Sequence, residues 1–289
     1  MKSEVQDFAA IELNQNATNV TLEPVFGGDI NDCFAASGAN GERVFIKANE
    51  NKQVLQSEYQ ALSRLSQLGV QCFPSFGAYK VGPSVAMLSL EYHEFIPVDE
   101  TNATQLAETL AVLHQVSSSE FGWPDHGHIG MSVQSNHWCN DWCDFFVSQR
   151  LAPQLVRAAE QGLSATATFG VERVMSNFSE LVDVSNIKPR LLHGDLWTGN
   201  VAYSLTRQEA LVYDPAPYYG DSEVDIAMSV LFGRLPSTFY TAYRALIPAP
   251  QDVNERESIY NIYHALNHVN LFGCSYEPLV NSLLLKLKI

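Results

Sequence analysis

Basic residues are scarce in this chain: 17 lysines and arginines stand against 32 aspartates and glutamates, a formal net charge of −15 over 289 residues. A nucleic-acid binder needs a cationic face to displace condensed counterions, so that class is disfavoured. Docking on anionic lipid is disfavoured for the same reason. Long hydrophobic runs are missing as well, and no stretch of about 18 apolar residues offers a membrane span. The opening MKSEVQDFAAIELNQ alternates charged and apolar residues too closely for a signal peptide. Cysteine is sparse: Cys33, Cys72, Cys139, Cys143 and Cys274 are odd in number and form no C-x-x-C pair. Free thiols in a reducing cytoplasm are therefore expected. His126, His128 and His137 lie near Cys139 and Cys143, but within this group there is neither C-x-x-C nor H-x-x-x-H spacing, which disfavours structural zinc. There is no internal repeat and no low-complexity segment.

What is present describes an ordinary folded globule, 46% hydrophobic and 17% charged, long enough for two lobes. The first ninety residues carry the β-type runs VTLEPVF, CFAAS, RVFIKA and SVAMLSLEY, separated by turn signals at Gly27-Gly28, Gly38 to Gly41 and Gly82-Pro83. One helix interrupts them at residues 51–68, closed by Gly69. After Glu91 the character changes. Leu106, Leu110 and Leu113 recur at helical spacing within 102–117, and WCNDWCDFFVSQRL, VERVMSNFSELV, DIAMSVLFG and IYNIYHALNHVNLF also read as helices. The expected fold class is α+β, with a small β-rich lobe at 1–91 and a larger, mainly helical lobe at 92–289, joined through MLSLEY.

The stretch LLHGDLWTGN runs an apolar strand straight into His193, Gly194 and Asp195, with Asn200 five residues on. A turn would explain Gly194 and Asp195 but not Asn200, nor Asp214, which ends the apolar run of LVYDPA. Oxygen-bearing side chains at the ends of apolar strands point to the handling of a cation or a proton. In the helix at 51–68, Leu55, Glu58, Leu62 and Leu65 share one stripe, so Glu58 faces inward. A buried carboxylate needs a cationic partner. Lys47 is the candidate, at the end of RVFIK on the strand face of Phe45. The plainer alternative leaves Glu58 at the stripe's edge and Lys47 in solvent. Lysine, inward glutamate, H-x-D-x-x-x-x-N and a further aspartate follow the order of the protein-kinase signature set. Three departures stand out: Gly194 replaces the usual arginine, Asp214-Pro215-Ala216 replaces D-F-G, and VFGGDIND offers only Gly27 and Gly28.

HGDLWTGN, taken with YDPAPYYGDSEVDIAM, resembles the fructosamine-kinase (ketosamine-3-kinase) family within the aminoglycoside- and choline-kinase-like group. GGDIN, VFIKAN, the FGWP and QSN of 121–136, and NDWCDFF with RLAPQL extend the resemblance over nearly the whole chain. It implies a two-lobed protein-kinase-like fold, with nucleotide on the 1–91 lobe and the catalytic loop and acceptor site in 92–289. It further implies ATP- and Mg²⁺-dependent phosphorylation of a sugar hydroxyl on a ketoamine, small-molecule or protein-linked, in a deglycation role. Asp195 would accept or orient the proton of the attacking hydroxyl. Asn200 and Asp214 would supply hard oxygens to Mg²⁺. Lys47, fixed by Glu58, would hold the nucleotide phosphates, and Gly27 and Gly28 would bring backbone N–H groups to them, unless they form a simple hairpin turn. His193 is expected to support the loop, and Asp225 to cap a helix or brace the loop. Trp138, Trp142, Phe145 and Gln149 read as one helical face given to core packing, with Trp142 the alternative substrate contact. Trp197 is a candidate wall of the acceptor pocket. Two alternatives stay open: a kinase of another small hydroxylated amine, of aminoglycoside or choline type, and a catalytically inactive kinase-like binding protein. Intact Lys47, Asp195, Asn200 and Asp214 weigh against the second.

Overall fold

Period-two alternation builds the first lobe. In the computed structural model, which describes residues 1–25 and 30–289, strands β1 (Val20–Val25), β2 (Asp32–Gly38), β3 (Arg43–Asn49), β4 (Phe76–Val81) and β5 (Ala86–Glu91) form one antiparallel sheet in the order β1-β2-β3-β5-β4. Gly27 and Gly28 lie outside the described residues, so their expected role has no structural counterpart here. Side chains of β3 and β5 alternate between two cores. Ile46, Ala48 and Met87 pack on one side with Val5 and Phe8. Leu88 and Leu90 pack on the other with Leu55, Leu62 and Leu65. The sheet is thus sandwiched between helices α1 (Lys2–Glu12) and α2 (Lys52–Gln67).

Helix α2 forms where the leucine stripe placed it. Asn51 caps it by accepting from Gln53 N at 3.2 Å, and Gly69 ends it in a left-handed conformation, φ +75°. Helix α1 was not expected. Its apolar face is short, made of Val5, Phe8, Ala9 and Ala10, and its tertiary partner decides: these residues pack on the back of the sheet. Glu12 at its end accepts from Ala78 N at 3.2 Å and from the Ser89 hydroxyl, tying the helix to β4 and β5.

Beyond Glu91 the chain makes a short strand β6 (Phe95–Ile96), which pairs with the hairpin Val201–Ser204 and Glu209–Val212 and so anchors the connector on the second lobe. That lobe is helical: α3 (Ala103–Leu113), α4 (Trp142–Phe146), α5 (Ala152–Glu160), α6 (Ala165–Ser176), α7 (Phe178–Leu181), α8 (Glu223–Leu231), α9 (Ser237–Leu246), α10 (Val253–Phe272) and α11 (Glu277–Lys286). Helix α10 is its axis, with Ile259, Tyr260, Ile262, Tyr263 and Leu266 all buried. Among the described residues, no helix is long and apolar enough to cross a membrane.

One expected face does not exist. Asp141 caps α4 by accepting from Asp144 N at 2.9 Å, so Trp138 precedes the helix and shares no helical face with Trp142. Trp138 is exposed and stacks on Tyr219, whereas Trp142 is buried and donates from Nε1 to the Tyr260 hydroxyl at 3.0 Å. Trp142 is a core residue, not a cleft wall. Gln149 sits in a π-helical turn, Val147–Leu151, and accepts from His137 N at 2.7 Å.

The second lobe also buries an ion pair. Arg256 on α10 donates to Asp221 at 2.7 Å and to Asp252 at 2.9 Å, and the Tyr260 hydroxyl donates to the same Asp221 oxygen at 2.7 Å. Removing the cation strands a buried carboxylate. Arg256→Met is therefore expected to cost about 3–5 kcal/mol in denaturant unfolding. A loss under about 1 kcal/mol would mean that water solvates Asp221 in the folded protein.

Candidate active site

Between the two lobes lies a cavity of about 550 Å³, and every described site residue inferred from the sequence lines it: Lys47, Glu58, Asp195, Asn200 and Asp214. Strand register puts Lys47 at the centre of the sheet, opposite Cys33 on β2 and Leu88 on β5. Its side chain leaves on the cleft face, only 3% exposed, which removes the solvent-facing alternative. Its Nζ donates to Glu58 Oε1 at 2.6 Å and to Asp214 Oδ1. Burial by itself would disfavour the ammonium, but the Asp214 and Glu58 carboxylates outweigh it and hold Lys47 charged well above its ordinary range. Burial pushes the Glu58 carboxyl up, and the Lys47 charge opposes that.

The loop after Leu191 and Leu192 owes its shape to a glycine and a brace. Gly194 has φ +85°, and a Cβ there would lie 2.0 Å from the Ala216 carbonyl oxygen. The close approach of the Asp214 segment thus accounts for glycine where protein kinases carry arginine. Asp225, inside α8 and fully buried, accepts from His193 N at 2.7 Å, Gly194 N at 2.8 Å and His114 Nε2 at 3.0 Å. It braces the loop and caps nothing. Burial would raise its carboxyl, yet these donors hold it below the ordinary range. His193 donates from Nε2 to the Tyr213 carbonyl at 2.9 Å and accepts at Nδ1 from Asp195 N at 3.3 Å. Its ring stacks on Phe73, and burial keeps it neutral. Both nitrogens are engaged in holding the loop.

Asp195 projects from this frame into a different environment. Asn200 Nδ2 donates to its backbone oxygen at 2.9 Å and its Oδ2 at 3.1 Å, which leaves Asn200 Oδ1 to meet another group. Burial first, and the nearby Asp214 charge second, push the Asp195 carboxyl up to about 7 against the opposing Asn200 bond. Asp214 itself sits at φ +57°, a region a non-glycine residue occupies only when its surroundings impose it. Counting Glu58, Asp195 and Asp214 against Lys47, the cluster is rich in carboxylate. Asn200 Oδ1 and the Asp214 carboxylate are hard-oxygen donors suited to a divalent cation such as Mg²⁺, which would relieve that excess.

Other residues of the cavity were less legible. Trp197 lines it as expected, its ring lying where Gly199 leaves space. The segment Asp125 to Gly130 also lines it, and Phe95 stacks on Tyr213 at 5.4 Å. His126 accepts from Asn136 N and His128 pairs with Ser57 Oγ at 2.9 Å, so both rings have protein partners. The brace His114 was missed although a signal existed: it follows Leu106 and Leu110 on the buried stripe of α3, where a histidine needs polar partners.

Comparison with known proteins finds relatives that match nearly the whole chain. The family model described as Fructosamine kinase matches residues 1–288. The probable ketoamine kinase of Synechocystis sp. is 36% identical over 265 residues, covering 90% of this chain and 88% of its own. The crystal structure of a candidate fructosamine-3-kinase from Haemophilus somnus superposes with a TM-score of 0.84 at 26% identity, covering 97% of this chain and 95% of the other. An aminoglycoside phosphotransferase, solved with ADP and hygromycin B, shares the fold at TM-score 0.65 and 14% identity, covering 98% of each chain.

The two carboxyl environments predict a titration. With a folded value near about 7 against about 4 unfolded, Asp195 holds a proton that the unfolded chain releases. Its contribution to stability therefore falls as pH rises through that window. Carboxyl NMR of the nucleotide- and metal-free protein should find Asp195 titrating near about 7, and lower in Asp214→Asn. An unchanged value in that variant would rule Asp214 out as a cause and leave burial and Asp225.

Proposed function

The chain belongs to the fructosamine kinase family, and from that membership we propose that its cleft transfers the γ-phosphoryl group of ATP to a sugar hydroxyl of a ketosamine. The observation that carries the reading is the convergence of Lys47, Glu58, Asp195, Asn200 and Asp214 in one cavity. Phosphoryl transfer asks a protein for positioning and charge neutralisation more than for covalent chemistry. The sheet side, residues 1–91, takes the nucleotide, and 92–289 takes the acceptor. Lys47, steadied by Glu58, binds the α- and β-phosphates; Gly27 and Gly28 are assigned to the phosphates on sequence alone. Asn200 and Asp214 hold Mg²⁺, which when bound supplies charge neutralisation for the phosphate oxygens.

Asp195 faces the acceptor hydroxyl. The hydroxyl oxygen attacks the γ-phosphorus, the bond to the bridging oxygen breaks, ADP leaves, and the hydroxyl proton passes to the Asp195 carboxylate. Burial, the first cause of its raised carboxyl, makes Asp195 a better proton acceptor at neutral pH than an ordinary aspartate. A ketosamine also carries an amine that is largely protonated. The carboxylate-rich cluster in this cavity favours such a cation over a neutral sugar. The phosphorylated product is primed for elimination that frees the amine, a deglycation. All five cysteines are free, which suits the reducing cytoplasm.

Two measurements test this reading. Asp195→Asn should bind ATP as the parent does while kcat falls about 10²–10⁴-fold; turnover within about threefold of the parent would remove Asp195 as the base. At saturating Mg-ATP, kcat/KM for a ketosamine should exceed that for the matching free sugar by at least about a hundredfold, roughly 2.7 kcal/mol of transition-state binding. Comparable values would make the protein a general sugar kinase. Faster turnover of an aminoglycoside or choline would move it to the amine-kinase alternative.

A further inference from the structure

The FGWP and QSN elements of residues 121–136 take no part in the chemistry above, yet they frame a segment that joins the two lobes. Its base is rooted in the helical lobe. Trp123 N donates to the Asn136 carbonyl at 3.1 Å, Arg150 donates to Asn136 Oδ1 at 2.6 Å, and Gln134 donates to the Tyr263 hydroxyl at 3.0 Å. Trp123, Gln134 and Asn136 are all buried. From this base a hairpin, Gly127–Ile129 with Ser132–Gln134, reaches back to the first lobe.

Its outer edge touches helix α2 at two points. His128 Nδ1 pairs with Ser57 Oγ at 2.9 Å, and the Asp125 carboxylate accepts from Arg64 Nε. Ser57, Ala61 and Arg64 are spaced by four and three, so they form a second stripe on α2, beside the stripe of Leu55, Glu58, Leu62 and Leu65. One stripe packs on the sheet and presents Glu58 to Lys47. The other meets the hairpin. At the hairpin turn, Gly130 at φ +60° brings its backbone beside Leu271 of α10 and Ile30 of the first lobe.

We propose that this hairpin is a strap that positions α2: Asp125 and His128, carried by the helical lobe, fix the rotation of the helix and so hold Glu58 on Lys47 before nucleotide arrives. The physical need is specific. Lys47 is shared between Glu58 and Asp214. If α2 turns away, nothing competes with Asp214 for the ammonium, and the lysine is drawn onto a carboxylate needed elsewhere. Asp125, His128, Ser57 and Arg64 are thus positioning residues that act through Glu58. The inference rests on the reading of Lys47 and Glu58 as phosphate-holding groups.

The test uses the full chain with Mg-ATP and a saturating acceptor. Ser57→Ala with Arg64→Met should raise KM for ATP about five- to tenfold, a hydrogen bond and a partly exposed ion pair together. The value of kcat should stay within about twofold, and Arg64→Lys in place of Arg64→Met should recover most of the loss. Repeated in a Glu58→Gln background, the same pair should move KM less than about twofold, because the group it positions is already gone. Should the pair impair folding, His128→Ala with Asp125→Ala removes the same contacts from the strap side and carries the same expectation. A KM for ATP within about twofold of the parent overturns the proposal, and so does an undiminished rise in the Glu58→Gln background. If Glu58→Gln alone leaves the KM for ATP unchanged, the underlying reading of Lys47 and Glu58 fails, and the strap's role falls with it.

Discussion

The Lys47 ammonium, buried between the carboxylates of Glu58 and Asp214, joins three distant parts of the chain at one point. It comes from the middle of a sheet, Glu58 from a helix laid across that sheet, and Asp214 from a segment of the second lobe. Neither Lys47 nor Glu58 is tolerable alone where it is buried, because desolvation outweighs what solvent returns, and Asp214 meets them from the more exposed wall of the cleft. Together they satisfy one another, and the two lobes are held in the relation that makes the cleft. The pairing leaves a surplus of negative charge once Asp195 is included. A site built this way is geometrically complete but electrostatically open, ready for a cation and for phosphates that bring charge of the opposite sense.

Asp195 and Asp225 show how the surplus is managed. Both are aspartates beside the same loop, and both lie in surroundings where burial favours the neutral form. Asp225 is given two backbone N–H groups and a histidine, so it stays ionised and holds the loop. Asp195 is given one amide and a neighbouring carboxylate, so its affinity for a proton rises. The contrast divides labour between a brace and a proton acceptor without any difference in residue type. His193 belongs with the brace: a neutral ring with both nitrogens committed has no proton chemistry to offer the acceptor.

Much of this is legible in the sequence. The leucine stripe of 55, 62 and 65 put Glu58 inward, strand alternation put Lys47 on the face of Phe45, and LLHGDLWTGN announced a loop that does more than turn. Other expectations failed for identifiable reasons. Trp138 was read into a helix because WCNDWCDFF has helical spacing, but the Asp141 cap starts the helix one turn too late for it. Helix α1 has an apolar face that makes sense only against the back of the sheet. His114 gave a signal that needed its partner, Asp225, to be interpreted.

The sequence by itself determined the residue types and their local directions: which side of a strand or helix each faces, and where a loop needs glycine or a cap. These depend on periods of two and 3.6 residues, which act within one element. Only the tertiary structure decided which directions converge. Lys47 and Asp214 are 167 positions apart, and His114 and Asp225 are 111 apart. The reason for glycine at 194 is a carbonyl 22 residues downstream, that of Ala216. Such contacts are selected by how whole elements pack and bury their charges, a condition on the folded whole that no local window of sequence contains.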